Sequence, residues 1–394
     1  MINEKMHLYG TNRSTIRELF EYGRNMKREL GEDAVFDYSL GNPSVEPPKE
    51  LNEHIARLTK ECSPIELHGY TSAPGDFSVR QAIAAHVEKS FDTKADPNLI
   101  YMTAGAAAAL TATLSAVTTP GESVIVIAPF FPEYRVFVES CGATLKAVPA
   151  RKNDFGLNID AINEALDETV AAVIINSPNN PTGAVYSEAD VKSLAELLKE
   201  KSKKYEKPIY VIADEPYREL VYDGARVPFI PKYYDNTIVC YSFSKSLSIP
   251  GERIGYALVS ASADDKEAVF HAICGAGRSL GYVCAPSIFQ KLVPACLGLT
   301  SDLSVYESNR KTLYEALTSY GYDVVYPSGA FYLFVKSPIP SARDFSDIAK
   351  KYGLLLVPSD DFGCEGYVRL AYCQSPDMIT RSLPAFLKLM KEFT

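Results

Sequence analysis

The chain has 394 residues, 46% of them hydrophobic, and a formal net charge of -9, so it can bury a large core but lacks the basic balance of a general nucleic-acid binder. It contains no run of about 18 apolar residues and no apolar core at its N-terminus, so we predict neither a transmembrane helix nor a signal peptide, and no membrane partner. Eight scattered cysteines without a C-x-x-C pair, and five histidines without H-E-x-x-H spacing, indicate reduced thiols in a cytoplasmic protein and no metal site.

Short apolar runs alternate with longer helical patterns along most of the chain. The runs are continuous and rich in β-branched residues, which is typical of strands buried on both faces of a parallel sheet. They lie at residues 99–102, 123–127, 171–175, 209–213, 238–241 and 256–259. Between the third and fourth runs, Ser187 and Asp190 form an acidic variant of the capping box ahead of apolar residues at helical spacing, which predicts a helix. This order of elements predicts an α/β fold whose large domain has a mostly parallel sheet flanked by helices.

The pattern changes after residue 290. Two strand-like runs, at residues 331–335 and 367–371, are separated by helical stretches. We interpret this part as a second, smaller α+β domain that the N-terminal segment joins.

A distinct polar cluster follows each apolar run. Ligands of open α/β sheets gather beyond the carboxyl ends of the strands, so these clusters form the candidate site. Gly105 begins a small-residue helix whose N–H groups can hold an anion, and Phe131 offers an aromatic face. Asn180 lies in a stiff proline-rich turn, and Asp214 ends a buried strand three residues before Tyr217. Close packing and ordinary turns would also explain the first three of these clusters.

The last cluster, residues 241–256, places Lys245 among serines at a strand end, with Arg253 eight residues further on. Lysine is seldom buried without a partner or a task, and a salt bridge would not explain the serines. Together the clusters supply a helix N-terminus, a hydroxyl and an arginine, which could bind a phosphate. They also supply an aromatic face for a ring, a carboxylate for a ring nitrogen and a lysine that could react with an aldehyde. The ligand with these requirements is pyridoxal 5′-phosphate, which proteins hold through a lysine Schiff base and a partner for the ring nitrogen.

The S-x-S-K-x₇-R-x-G segment and the clusters before it resemble, over nearly the whole chain, the class I/II aminotransferases of the fold-type I pyridoxal-phosphate enzymes, the aspartate aminotransferase superfamily. The resemblance implies that Lys245 forms the Schiff base and moves the proton at the substrate Cα, while Asp214 pairs with the pyridinium nitrogen. It implies that Asn180 and Tyr217 hold the ring hydroxyl and that Phe131 stacks on the ring. The implied phosphate site consists of Gly105, Ala106, Ala107, Ser242, Ser244 and Arg253.

The same resemblance extends to the substrate and to assembly. It implies that Arg369 grips the substrate α-carboxylate, with Asn180 beside it, and that Gly41 lies in the loop that closes over that carboxylate. Tyr70 resembles the tyrosine that reaches the phosphate of the neighbouring subunit, so a homodimer with shared sites is expected. The implied large domain spans residues 46–285, and the implied small domain combines residues 1–45 and 286–394.

These features predict an aminotransferase that moves an amino group between an L-amino acid, aspartate or aromatic by default, and a 2-oxo acid such as 2-oxoglutarate. A C–S β-lyase on the same scaffold stays open as an alternative, since the same clusters would serve both reactions. A non-enzymatic cofactor-binding regulator is the third alternative, and the acidic balance argues against it.

A further motif at residues 277–281 fits G-x-S-x-G, the nucleophile elbow of hydrolases. That motif needs a strand before the serine, whereas residues 265–276 have a helical pattern, and no histidine follows His271. We therefore interpret the match as chance. Arg278 within it is a candidate for binding a distal carboxylate of the substrate.

Overall fold

All the predicted apolar runs form strands. The computed structural model describes residues 2–11 and 14–394, so Met1, Asn12 and Arg13 of the predicted small domain lie outside the described residues. In chain order the strands are β1 (Phe36–Asp37), β2 (Ile100–Thr103), β3 (Ser123–Ala128), β4 (Thr144–Pro149), β5 (Val170–Asn176), β6 (Tyr210–Asp214), β7 (Thr237–Ser242), β8 (Gly255–Val259), β9 (Val324–Val325), β10 (Tyr332–Lys336), β11 (Leu354–Leu355), β12 (Val357–Pro358) and β13 (Tyr367–Ala371).

The large sheet has seven strands in the order β2-β8-β7-β6-β5-β3-β4. The strands from β7 to β4 are parallel, and β8 runs antiparallel to both of its neighbours. The predicted mostly parallel sheet is therefore confirmed. The apolar pattern does not predict β4, because most residues of this edge strand are exposed or half-buried and they form no continuous apolar run.

Helices cover both faces of the large sheet, which confirms the predicted α/β architecture. They are α1 (Glu4–Thr11), α2 (Thr15–Leu30), α3 (Lys49–Glu61), α4 (Pro64–His68), α5 (Phe77–Phe91), α6 (Ala106–Val117), α7 (Glu133–Ser140), α8 (Ile159–Ala165), α9 (Glu188–Tyr205), α10 (Phe243–Ser246), α11 (Lys266–Ser279), α12 (Ser287–Cys296), α13 (Leu303–Ser319), α14 (Ala342–Lys350) and α15 (Pro376–Met390). In β3, Val124 and Val126 pack with α6, α7 and α11, whereas Ile125 and Ile127 pack with α5, α9 and α12. This alternation explains why both faces of the strand had to be apolar. The capping box of Ser187 and Asp190 begins α9 as predicted.

A smaller antiparallel sheet, in the order β12-β13-β10-β9, follows in the C-terminal part of the chain. The N-terminal strand β1 pairs in parallel with β11, so residues near both ends of the sequence share a sheet. Their apolar residues form a cluster that includes Tyr38, Phe331 and Phe386. The predicted domain boundaries at residues 46 and 285 stay a prediction.

In the described part of the chain, the helices are all too short or too polar to cross a membrane. All eight cysteines are free thiols. Within residues 2–11 and 14–394, no three His, Cys, Asp or Glu side chains are grouped so that they could hold a metal ion.

Candidate active site

The polar strand ends meet at one edge of the large sheet. Asn176 and Asp214 are register partners at the carboxyl ends of β5 and β6, and Ser242 ends the neighbouring strand β7. A cavity of about 280 Å³ lies at this edge, where ligands of parallel sheets bind. It is lined by Ile16, Leu40, Gly41, Ala106, Ala107, Leu110, Phe131, Phe137, Asn176, Asn180, Asp214, Pro216, Tyr217, Ser242, Ser244, Lys245, Pro250, Arg253, Tyr332 and Arg369.

Lys245 lies on α10, the single helical turn that directly follows β7. Its Nζ donates a hydrogen bond to the main-chain oxygen of Gly41, at 2.7 Å. Burial, reinforced by the positive charges of Arg253 and Arg369, lowers the pKa of Lys245 to about 8. A substantial fraction of this amine is therefore neutral, and nucleophilic, slightly above neutral pH.

Asp214 is a buried carboxyl group with one satisfied and one unsatisfied oxygen. The hydroxyl of Tyr134 donates to Oδ2, and Nδ2 of Asn176 lies 3.4 Å from the same oxygen. Among the described residues, Oδ1 has no hydrogen-bond partner. Burial raises the pKa of Asp214 to about 7, against the opposing effect of the Tyr134 hydrogen bond. A buried, unpaired oxygen is costly, so the site suits a ligand that brings an N–H donor to Oδ1.

An anion-binding cup is formed where α6 begins beside α10. Gly105 precedes α6 with φ +84°, and no side chain in the described part of the chain caps the helix, so its first N–H groups are free for a ligand. A Cβ at position 105 would lie 2.8 Å from Nη2 of Arg253, which explains the glycine. The Arg253 guanidinium donates to the carbonyl oxygens of Pro250 and Ala104, at 3.0 and 3.2 Å. The hydroxyl of Ser242 donates to that of Ser244 at 2.7 Å, within the same cup.

Aromatic side chains form the walls between this cup and the sheet edge. Phe131 lines the cavity and presents its ring perpendicular to that of Tyr134, with the centroids 5.7 Å apart. The hydroxyl groups of Tyr217 and Tyr332 are hydrogen-bonded at 2.9 Å. The cavity therefore offers a flat ligand an aromatic face at Phe131, a phenol at Tyr217 and the carboxyl group of Asp214.

Arg369 brings a fixed positive charge to the other end of the cavity. It is only 2% exposed, and its guanidinium lies 4.6 Å from the centroid of the Tyr332 ring. Nη1 donates to Oδ1 of Asn180 at 3.1 Å, and Nη2 donates to the main-chain oxygen of Ser39. Nε has no partner among residues 2–11 and 14–394, so part of the guanidinium fork stays available for a carboxylate.

The close approach of Gly41 to Tyr332 shapes this end of the cavity. A Cβ at position 41 would collide with the Tyr332 hydroxyl and would lie 3.0 Å from the Phe331 ring. Only glycine lets the main chain come near enough for its carbonyl oxygen to accept the Lys245 hydrogen bond.

The structure brings most of the predicted site residues together. Gly41, Ala106, Ala107, Phe131, Asn180, Asp214, Tyr217, Ser242, Ser244, Lys245, Arg253 and Arg369 all line the cavity, and Gly105 adjoins it. Two residues lie elsewhere: Tyr70 is 91% exposed, outside the cavity, and Arg278 is exposed on α11. Ser279 ends that helix, so the residues that match G-x-S-x-G lack the preceding strand of a nucleophile elbow.

Sequence reasoning missed several residues of the site. Asn176 is the last residue of β5 and its position at a strand end was the available signal. Tyr134 had a comparable signal, because it lies in the cluster that follows β3, three residues after Phe131. Tyr332 had none, because it begins β10, which reaches the site only through the tertiary fold. Ile16 of α2, Leu40 and Phe137 add an apolar part of the wall, which no motif in the sequence indicates.

Comparisons with known proteins identify the relatives of this chain. Residues 35–386 match the family model described as aminotransferase class I and II, whose members use pyridoxal phosphate. The chain is 33% identical to a probable N-acetyl-LL-diaminopimelate aminotransferase of Bacillus subtilis, over 89% of this chain and 87% of that protein. It is 29% identical to an aspartate aminotransferase of Pyrococcus abyssi, over 97% and 96% of the two chains.

A crystal structure of an amino transferase from Eubacterium rectale is 50% identical, with a TM-score of 0.98 over 100% of this chain and 99% of that one. The family model covers most of the chain, and the relatives match it nearly end to end. The chain therefore belongs to the class I and II aminotransferase family and is an enzyme of the aminotransferase class.

Proposed function

We propose that the protein binds pyridoxal 5′-phosphate through Lys245 and transfers an amino group from an L-amino acid, aspartate or an aromatic one, to a 2-oxo acid such as 2-oxoglutarate. One observation carries the proposal: the buried, unpartnered Oδ1 of Asp214 lines the same cavity as an amine whose pKa is lowered to about 8. An N–H donor for the first group and an aldehyde for the second are the two reactive ends of this cofactor.

The remaining cavity-lining residues can be assigned to the phosphate, the ring and the ring hydroxyl of the cofactor. The phosphate would be held by the N–H groups of Ala106 and Ala107, by Ser242 and Ser244, and by Arg253. The ring would lie against Phe131, with its hydroxyl towards Tyr217 and Asn180. When bound, pyridoxal phosphate supplies an aldehyde that reacts with amines and a ring that withdraws electrons from the substrate Cα.

The protein groups would then divide the work of proton transfer and positioning. Neutral Lys245 would accept a proton at Nζ from the substrate Cα and would return it to the carbon on the other side of the transferred nitrogen. Asp214 would hold a proton at the ring nitrogen, because a cation there would offset the cost of burying the carboxylate.

Arg369 would orient the substrate through its α-carboxylate, with Gly41 closing over the same group. The buried guanidinium is already fixed by Asn180 and Ser39, so little side-chain entropy is lost when a carboxylate binds. Ile16 and Leu40 offer apolar contacts for an aromatic side chain, and a relative named aspartate aminotransferase supports the acidic donor.

We also propose that the protein works as a homodimer in which Tyr70 completes the phosphate site of the neighbouring subunit. The high exposure of Tyr70 supports this proposal, since a 91% exposed tyrosine five residues after the 86% exposed Ile65 is suited to burial against a partner. Arg278, which is also exposed, stays a candidate for binding a distal carboxylate of the substrate.

The test is an absorbance spectrum of the purified, cofactor-loaded protein before and after adding L-amino acids one at a time. A visible band that bleaches with one donor and returns with 2-oxoglutarate is the expected result, and the donor names the substrate. Accumulation of pyruvate and ammonia from a β-substituted amino acid, without recovery of the visible band by the 2-oxo acid, would show that the enzyme is a lyase and not an aminotransferase. A protein that takes up no pyridoxal phosphate would refute the proposal.

A further inference from the structure

The carboxyl group of Asp214 is held from behind by a residue that does not line the cavity. We propose that Tyr134 is a positioning residue, whose hydroxyl fixes Oδ2 of Asp214 so that Oδ1 is left for the cofactor ring nitrogen. The inference rests on the proposed binding of pyridoxal phosphate and assigns Tyr134 a part in it.

The hydrogen bonds around Asp214 leave few other groups for this task. Carboxyl groups rotate over a broad range about their last torsion, so the side-chain rotamer alone does not decide which oxygen faces a ligand. The Tyr134 hydroxyl donates to Oδ2, whereas Nδ2 of Asn176 is 3.4 Å from Oδ2 and 3.0 Å from the main-chain oxygen of Asp214. Asn176 is therefore engaged mainly by the main chain, and Tyr134 provides the principal hold on the carboxylate.

Tyr134 is suited to act as a permanent donor. Its side chain is 2% exposed, at the first turn of α7, and burial together with the adjacent carboxylate raises its pKa well above the usual value. The hydroxyl thus keeps its proton throughout the working range of an enzyme. The other titratable groups near Asp214 are Tyr217 from its own segment and Cys240 from β7, whose pKa values burial also raises, so both stay neutral.

The ring of Tyr134 has a separate packing role against Phe131, at a centroid distance of 5.7 Å. Tyr134→Phe keeps this ring contact and removes only the hydroxyl. Tyr322→Phe is the matched control, because Tyr322 is also buried and its hydroxyl donates to a main-chain oxygen, that of Phe386, at 2.9 Å and away from the cavity.

The experiment measures the dissociation constant of pyridoxal phosphate by equilibrium dialysis from pH 5 to pH 9, together with kcat and KM, for wild type and both variants. The free energy of a hydrogen bond to a charged group corresponds to a pKa shift of about one unit, so removing the Tyr134 hydroxyl should raise the pKa of Asp214 by about that amount. We expect the pH below which cofactor affinity declines to move upward by about 1 in Tyr134→Phe, and kcat to fall about tenfold with KM within about twofold. Lys245 titrates in the same range, but Tyr134 hydrogen-bonds Asp214 and not Lys245, so the difference between the proteins reports on Asp214.

Three outcomes decide the inference. A shift of the affinity profile and a loss of kcat in Tyr134→Phe alone support it. Profiles that match the wild type, or the same changes in Tyr322→Phe, overturn it while leaving the proposed function intact. A wild-type protein that binds no pyridoxal phosphate overturns both.

Discussion

Replacing Asp214 with asparagine should stabilise the cofactor-free protein, and this gain should appear only as the pH rises towards 7. Burial raises the pKa of Asp214 from 3.8 in the unfolded chain to about 7 in the folded protein. Between these values the folded protein retains a proton that the unfolded chain has lost, so the free energy of unfolding falls as the pH rises. Above pH 7 the loss is complete.

The size of the effect follows from the two pKa values. At 1.36 kcal/mol per pKa unit, the rise corresponds to about 4 kcal/mol of unfolding free energy lost by the wild type between pH 4 and pH 7. Asparagine keeps an oxygen to accept from Tyr134 and carries no charge, so the variant avoids this loss. Its buried amide adds an offset that does not depend on pH, and the diagnostic quantity is therefore the slope of the difference against pH.

Urea unfolding of both cofactor-free proteins from pH 4 to pH 8 measures this slope. Asp167→Asn is the control, because hydrogen bonds from Lys146 and Thr169 lower the pKa of Asp167 to about 2. That variant should be destabilised by a constant amount above about pH 5, whereas the advantage of Asp214→Asn should grow up to about pH 7. A difference for Asp214→Asn that stays flat across this range would refute the account of the buried carboxyl group.

The same substitution should have the opposite effect on catalysis. In the cofactor-loaded enzyme an asparagine cannot stabilise a protonated ring nitrogen, so abstraction of the Cα proton should slow severely. Near-normal turnover in Asp214→Asn or Asp214→Ala would contradict the assigned role of the carboxylate.

Three further substitutions test other parts of the site. Arg369→Ala should raise KM about 100-fold or more for every amino acid, because two charge-assisted hydrogen bonds to the substrate are lost. Arg310→Ala is the control and should lower only the melting temperature, because this fully buried arginine lies outside the cavity. An effect of Arg369→Ala on one substrate alone would exclude α-carboxylate binding. Gly41→Ala should lower kcat/KM about 100-fold, since the added Cβ collides with Tyr332 and displaces the carbonyl oxygen that accepts a hydrogen bond from Lys245. Kinetics within twofold of wild type would show that the close approach of the Gly41 main chain to Tyr332 is not needed. Lys245→Ala should abolish turnover but still bind pyridoxal phosphate weakly, and dialysis with single-turnover measurements would separate the two effects.

Much of the fold could be predicted because its signals are local. A strand buried on both faces must be apolar at every position, so residues 123–127 and 171–175 identify β3 and β5 without knowledge of their neighbours. The sequence contains no signal for the antiparallel direction of β8, since a buried strand has the same composition whether it runs parallel or antiparallel. The half-exposed edge strand β4 has no continuous apolar run, and it was missed for that reason.

In the candidate site, too, the residues that could be predicted are those with a local sequence signal. Lys245, Asp214 and Arg253 could be identified because each follows a strand within a short motif, and the strand order then brings the motifs to one edge of the sheet. The sequence by itself therefore determined the chemistry available at that edge. Tyr70 could be identified by resemblance alone, and its place in a neighbouring site stays a prediction.

Only the tertiary structure decided how the chemical groups are held. Tyr134 meets Asp214 across 80 positions of the sequence, the carbonyl of Gly41 meets Lys245 across 204, and that of Ser39 meets Arg369 across 330. Each of these partners is a common residue or a main-chain atom, with no composition or spacing that distinguishes it. Their contribution comes from position, and position depends on how the two sheets and the N-terminal segment pack around one cavity.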